Sequence, residues 1–139
     1  MKRKVLFICT HNAARSQMAE GYMKSEYGDR YEVFSAGTEV TRVHPMASEV
    51  MKEIGIDISG QRSKLIDDLF GKGIETVVTV CDAANKACPF FPGAKDIIHQ
   101  GFTDPSGFTG SYEEVRAGFR KVRDEIIRWI DATFGSAHA

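Results

Sequence analysis

The chain has no long apolar run, almost no net charge, one tryptophan, four prolines and only three cysteines, and each scarcity removes a class of function. No apolar run exceeds the five residues 5–9, far short of the roughly 20 that a membrane-spanning helix needs. A formal net charge of -1 gives no field for bulk attraction of nucleic acid. Lys2-Arg3-Lys4 is a local cluster at a strand entrance, and no secretory core follows it, because polar residues break the run after Cys9. Three cysteines without an export signal argue against a disulfide framework. Cys81 and Cys88, with six residues between them, lack the close pairing of a zinc site, so no metal and no cofactor are expected. Repeats, linkers and low-complexity segments are missing as well, so residues 1–139 read as a single domain. A cytoplasmic location, no membrane or nucleic-acid partner and a monomeric state are the expectations.

What is present centres on residues 5–16, Val-Leu-Phe-Ile-Cys-Thr-His-Asn-Ala-Ala-Arg-Ser. The apolar opening reads as a buried strand that delivers Cys9 to its carboxyl end. Five residues then lead to Arg15, and Ser16 opens a helix with Met18, Ala19, Tyr22 and Met23 on one face. The first amides of a helix have no intrahelical partner and carry the positive end of its dipole, so a strand–loop–helix turn cradles anions. Arg15 adds a two-pronged cationic contact, and the same field favours the thiolate, the nucleophilic form of cysteine. The plainer alternative is that Cys9 is a small apolar residue finishing a core strand. The Arg15 spacing and the helix start count against it.

Along the rest of the chain, strands are expected at 31–36, 76–80 and 97–99. Pro45 sits in the first turn of a helix that Ala47, Val50, Met51 and Ile54 carry to Gly55. A short helix is expected at 65–70. The last helix is the clearest: Ser111 and Glu114 form a capping box, and Val115, Phe119, Val122, Ile126 and Ile130 give it one apolar face. Residues 82–96 show no period and read as a long loop. Alternating strands and helices imply an α/β fold, a doubly wound four-stranded parallel sheet with helices on both faces and the flavodoxin-like order 2-1-3-4. Ligands bind such sheets beyond the carboxyl ends of the strands. In that order strands one and three lie about 4.8 Å apart, which sets Cys81 beside Cys9.

The loop Cys9-Thr10-His11-Asn12-Ala13-Ala14-Arg15-Ser16 with the following Gln17-Met18-Ala19-Glu20-Gly21 resembles the anion loop of low-molecular-weight protein tyrosine phosphatases, and more closely that of thioredoxin-coupled arsenate reductases of the same fold. Ser35-Ala36-Gly37, the strand ending at Cys81, Cys88-Pro89 and Asp104-Pro105 extend the resemblance over nearly the whole chain. It implies arsenate as substrate, bound by residues 10–16; Cys9 as nucleophile; Asp104 as general acid; Cys81 and then Cys88 as resolving thiols; and thioredoxin as reductant. It also implies a residual phosphatase activity. Two alternatives stand beside it: a phosphatase using only Cys9, Arg15 and Asp104, and a non-enzymatic oxyanion-binding redox sensor. Ser16 reads equally as a hydrogen-bond donor to the thiolate or as a helix N-cap, Asn12 as the residue that holds the loop's turn, and Asp104, without the resemblance, as a turn residue before proline. Some of these reductases bind potassium near the loop. Asn12 and Glu20 match that pattern, but Arg62 and Lys64 stand at the other two positions, which argues against a metal cation and points to Lys64 beside Glu20 as its substitute. His11 replaces a frequent glycine, and His44 and His99 read as surface or loop residues.

Overall fold

The computed structural model describes residues 2–80 and 91–135. Four parallel strands, β1 (Arg3–Cys9), β2 (Tyr31–Gly37), β3 (Thr76–Thr79) and β4 (Asp96–His99), form one sheet in the order β2-β1-β3-β4. Helices α1 (Arg15–Tyr27), α2 (Pro45–Lys52) and α3 (Tyr112–Phe134) flank it, with short 3-10 turns at Ile66–Leu69 and Pro105–Gly107. The α/β class and the strand order are those expected from the sequence. Val5, Leu6, Phe7, Ile8, Val77 and Val78 are fully buried, as central parallel strands require, whereas β4 is an edge with Ile97 exposed. Among the described residues, no helix is long and apolar enough to cross a membrane.

Register brings the site together. Cys9 pairs with Gly37 on one side of β1, and Ile8 pairs with Thr79 on the other. The amide of Val80 donates to the Ile8 carbonyl at 2.8 Å, so β3 is followed to the residue before Cys81. Cys81 and Cys88 themselves lie outside the described residues. Gly37 is required where it stands: a Cβ there would lie 2.6 Å from the Thr10 carbonyl oxygen and 2.9 Å from the Asn12 nitrogen. The loop after β1 therefore presses directly on the end of β2.

Two expectations change. Helix α2 ends at Lys52 rather than reaching Gly55; tighter turn bonds close it, Gly55 adopts a φ of +79°, and Ile54 is exposed rather than core. Helix α1 is not simply amphipathic. Its first two turns are buried on all sides, with Gln17 and Glu20 inside along with Met18 and Ala19. The capping box of α3 is present, with the Ser111 hydroxyl accepting from the Glu114 amide and the Glu114 carboxylate accepting from the Ser111 amide.

Candidate active site

Strand β1 ends at Cys9, which is 2% exposed, and the chain turns through Asn12 at a φ of +50° to enter α1 at Arg15. A left-handed asparagine is favourable because its short amide bonds locally. Here Asn12 is fully buried: its Nδ2 donates to Ser16 Oγ at 2.8 Å and Ser35 Oγ at 2.9 Å, and its Oδ1 accepts from the Lys64 amide at 2.8 Å. It ties the loop to α1, β2 and the segment before the first 3-10 turn.

Cys9 Sγ and Ser16 Oγ share a hydrogen bond of 2.8 Å. Since Ser16 Oγ already accepts from Asn12, its own proton is free to point at the sulfur. The helix N-cap is Ala14, without a side-chain cap, and Ser16 lies inside the first turn. This rules out the capping reading of Ser16. Ser35 Oγ, which accepts from Asn12, donates in turn to Glu20, a carboxylate 3% exposed. A chain of buried polar groups thus runs from the thiol through Ser16, Asn12 and Ser35 to Glu20.

In front of the thiol, Cys9, His11, Ala13, Ala14, Arg15, Asp104 and Ser106 line a pocket of about 10 Å³, room for about one water. Arg15 is 8% exposed; it donates to the Phe102 carbonyl at 3.1 Å and faces Asp104 at 3.4 Å. Asp104 also accepts from the Ser106 amide and hydroxyl, capping its 3-10 turn. Burial pushes the Asp104 carboxyl up, but those Ser106 bonds together with the charges of Arg15 and His11 outweigh it and hold Asp104 below the usual carboxylate value. Of the loop residues named from sequence, Asn12 and Ser16 stand behind the thiol. Thr10 turns its carbonyl to the Glu39 amide at 3.0 Å. His11 is exposed at the rim, and its carbonyl accepts from Thr41 Oγ1 and Ser63 Oγ.

Sequence reasoning missed Gln17, Ser106 and the Phe102 carbonyl. Gln17 is fully buried and its amide bonds the carbonyls of Asn12 and Arg62. The Asp-Pro-Ser order of residues 104–106 is a capping signature that could have revealed Ser106. His44 lies in the loop before α2, half-buried: it caps α2 through Nδ1 and packs on Phe119 at 4.7 Å, and burial lowers its pKa. His99 Nδ1 bonds Thr79 Oγ1 at 2.9 Å.

A potassium ion does not fit behind the loop. Glu20, the carboxylate that matches the potassium pattern, pairs with Lys24 and has the Lys64 ammonium 3.6 Å away, while the Arg62 carbonyl accepts from Lys64 Nζ and from Gln17. The cationic side chains already fill the place of a metal.

Residues 4–134 match the model of the low molecular weight phosphotyrosine protein phosphatase family. The chain is 49% identical over 129 residues to an arsenate reductase of Halalkalibacterium halodurans, covering 93% of each chain, and 46% identical over 127 residues to an arsenate reductase of Bacillus subtilis, covering 91% of each. Among solved structures, an arsenate reductase in its oxidized state superposes with a TM-score of 0.78 at 32% identity, over 94% of this chain and 95% of the other. A low molecular weight protein tyrosine phosphatase from T. tengcongensis superposes with a TM-score of 0.70 at 29% identity, over 94% and 99%. With this coverage and this loop, the chain is a member of the low molecular weight phosphotyrosine phosphatase and arsenate reductase family.

Proposed function

We propose that the protein reduces arsenate to arsenite by a three-cysteine relay and is regenerated by thioredoxin, in arsenic detoxification. The observation that carries this reading is the Cys9 thiol in hydrogen-bond contact with Ser16 at the base of a pocket shared with Arg15 and Asp104, in a chain about half identical to arsenate reductases. A related structure at 27% identity is a thioredoxin-dependent arsenate reductase from Corynebacterium glutamicum, of which this chain covers 63%.

Arsenate entering the loop is held by residues 10–16 and takes over the Arg15 contact now made by Asp104. The pocket must open for it, because a tetrahedral anion exceeds the present cavity. Asp104 then loses the guanidinium that lowers its pKa and faces an anion instead, and both changes move it toward the proton-donating form. The Cys9 thiolate attacks arsenic, a sulfur–arsenic bond forms, and the departing oxygen leaves with the Asp104 proton. The Cys81 thiolate attacks the Cys9 sulfur. The electron pair of the sulfur–arsenic bond goes to arsenic, arsenite leaves, and a Cys9–Cys81 disulfide remains. Attack of Cys88 on Cys81 frees Cys9, and thioredoxin reduces the Cys81–Cys88 disulfide by thiol exchange.

The test supplies arsenate, thioredoxin, thioredoxin reductase and NADPH. Steady NADPH consumption by the parent and a single turnover by Cys88→Ser are expected; unchanged turnover in Cys88→Ser overturns the relay. A second reading, a phosphatase, is favoured by the meeting of Cys9, Arg15 and Asp104 in one pocket. Rapid hydrolysis of an aryl phosphate without arsenate turnover would select it.

A further inference from the structure

A cleft of about 620 Å³ lies at the far end of the polar chain and shares no lining residue with the Cys9 pocket. Lys2, Lys24, Arg62 and Lys64 line it against the carboxylates Glu20 and Glu32. Glu20 is committed to Ser35, Lys24 and Lys64, and Glu32 is solvent-exposed on the cleft wall. Among the described residues, no carboxylate pairs with the Arg62 guanidinium. The Lys64 side chain is only 17% exposed, and its ammonium is held below its usual pKa by burial, with the charges of Lys24 and Arg62 adding to the effect against the pull of Glu20. Two cations, Lys24 and Lys64, therefore converge on one buried carboxylate while the Arg62 guanidinium lines the same cleft without a carboxylate partner among the described residues, and an anion in the cleft relieves the crowding.

We infer that this cleft is a second anion site, taking a small, multiply charged anion of the phosphate class on Lys24, Arg62 and Lys64, and that its occupancy is felt at Cys9. The link is the chain already described. Glu20 accepts from Ser35, Ser35 accepts from Asn12, Asn12 donates to Ser16, and Ser16 contacts the sulfur. A bound anion draws the Lys24 and Lys64 ammonium groups off Glu20. That leaves the carboxylate less compensated and adds negative charge behind the loop, and both changes disfavour a thiolate at Cys9. The same cations that exclude a metal make the cleft selective for charge of the opposite sign.

The probe is inorganic pyrophosphate, and neither readout needs turnover, so failure here and failure of the reductase reading are separable. Arg15→Ala weakens the loop site, and calorimetric titration of that variant is expected to give one bound pyrophosphate, weakened at least tenfold by adding Lys24→Gln and Arg62→Gln. In the protein with Arg15 intact, those two substitutions are expected to reduce two bound equivalents to one, which keeps the test independent of how well Arg15→Ala folds. No binding by a folded Arg15→Ala, or binding indifferent to Lys24→Gln and Arg62→Gln, overturns the site. The second readout is iodoacetamide alkylation of Cys9 at pH 7, followed by mass spectrometry of the Cys9 peptide in the Arg15→Ala background. Saturating pyrophosphate is expected to slow it about threefold, and the slowing is expected to vanish in Lys24→Gln/Arg62→Gln. Binding without slowing overturns the link to Cys9.

Discussion

The polar chain behind the anion loop and the ion-pair ladder between α2 and α3 differ chiefly in depth. Behind the anion loop, Ser16, Asn12, Ser35 and Glu20 are all buried and each bonds the next. Between α2 and α3, Glu53 meets Arg120 at 2.8 Å and Arg123 at 3.0 Å, and Glu49 meets Arg116 at 3.4 Å, in a ladder that is partly exposed apart from the buried Arg123. The ladder has more formal charge, yet water reaches the Glu53–Arg120 and Glu49–Arg116 rungs, and an exposed pair contributes about 0–1 kcal/mol. The buried chain has a single well-shielded carboxylate, but each of its groups, if orphaned, costs about 1–3 kcal/mol. Depth rather than charge separates the network that touches the Cys9 thiol from the one that fastens two helices.

The sharpest way to break that contrast is Gly37→Ala. The three atoms nearest the new methyl are all backbone, the Thr10 carbonyl oxygen at 2.6 Å, the Asn12 nitrogen at 2.9 Å and the Cys9 carbonyl oxygen at 2.9 Å, so relief requires the loop to shift. A loss of about 2–3 kcal/mol in urea unfolding is expected from overpacking, together with a fall in arsenate turnover of about a hundredfold from misplaced reacting groups. Retained turnover would mean that the loop tolerates displacement. Ser16→Ala is milder. It removes the bond to Cys9 Sγ and one acceptor for Asn12 while leaving the backbone in place. Cys9 alkylation at pH 7 is expected to slow about tenfold, the equivalent of one lost charge-assisted bond of about 1.4 kcal/mol, with recovery in Ser16→Thr. Unchanged alkylation in Ser16→Ala would show that the buried chain does not set the reactivity of the thiol.

How much of this was legible in the sequence follows the same division. The strands and their order were readable because buried parallel strands leave continuous β-branched runs, as at 76–80, and the capping box of α3 is local in sequence. The meeting of Cys9 with Arg15 and the pairing of Lys64 with Glu20 were readable from spacing and resemblance. The chain behind Cys9 was not, because its members come from α1, the loop and β2 and meet only once Cys9 pairs with Gly37. Gln17 shows the difficulty: a glutamine one position after a serine at a helix start reads as surface, yet it is fully buried because other chain segments enclose α1 on every side. The misplaced end of α2 has the opposite cause, since Ile54 continues the helical period but follows the point where the chain turns toward Gly55.

The smallest expected effect tests the ladder. Hydrogen bonding from Arg120, then its charge and the bonding and charge of Arg123, overcomes burial and brings Glu53 down from 4.5 to about 2. A carboxylate whose folded pKa is depressed stabilises the fold above its unfolded value and loses that contribution as pH falls through the folded one. The contribution of Glu53 is therefore complete above about pH 5 and fades between 4.5 and about 2. Its side chain is 28% exposed, so screening leaves about 1 kcal/mol of the nominal linkage. Glu53→Gln is expected to lose about that much in urea unfolding at pH 7 and to approach the parent near pH 2. Cys9 alkylation at pH 7 is expected to stay unchanged, because no hydrogen bond of the buried chain passes through α2 or α3. A slower alkylation in Glu53→Gln would join the two networks and remove the distinction between them.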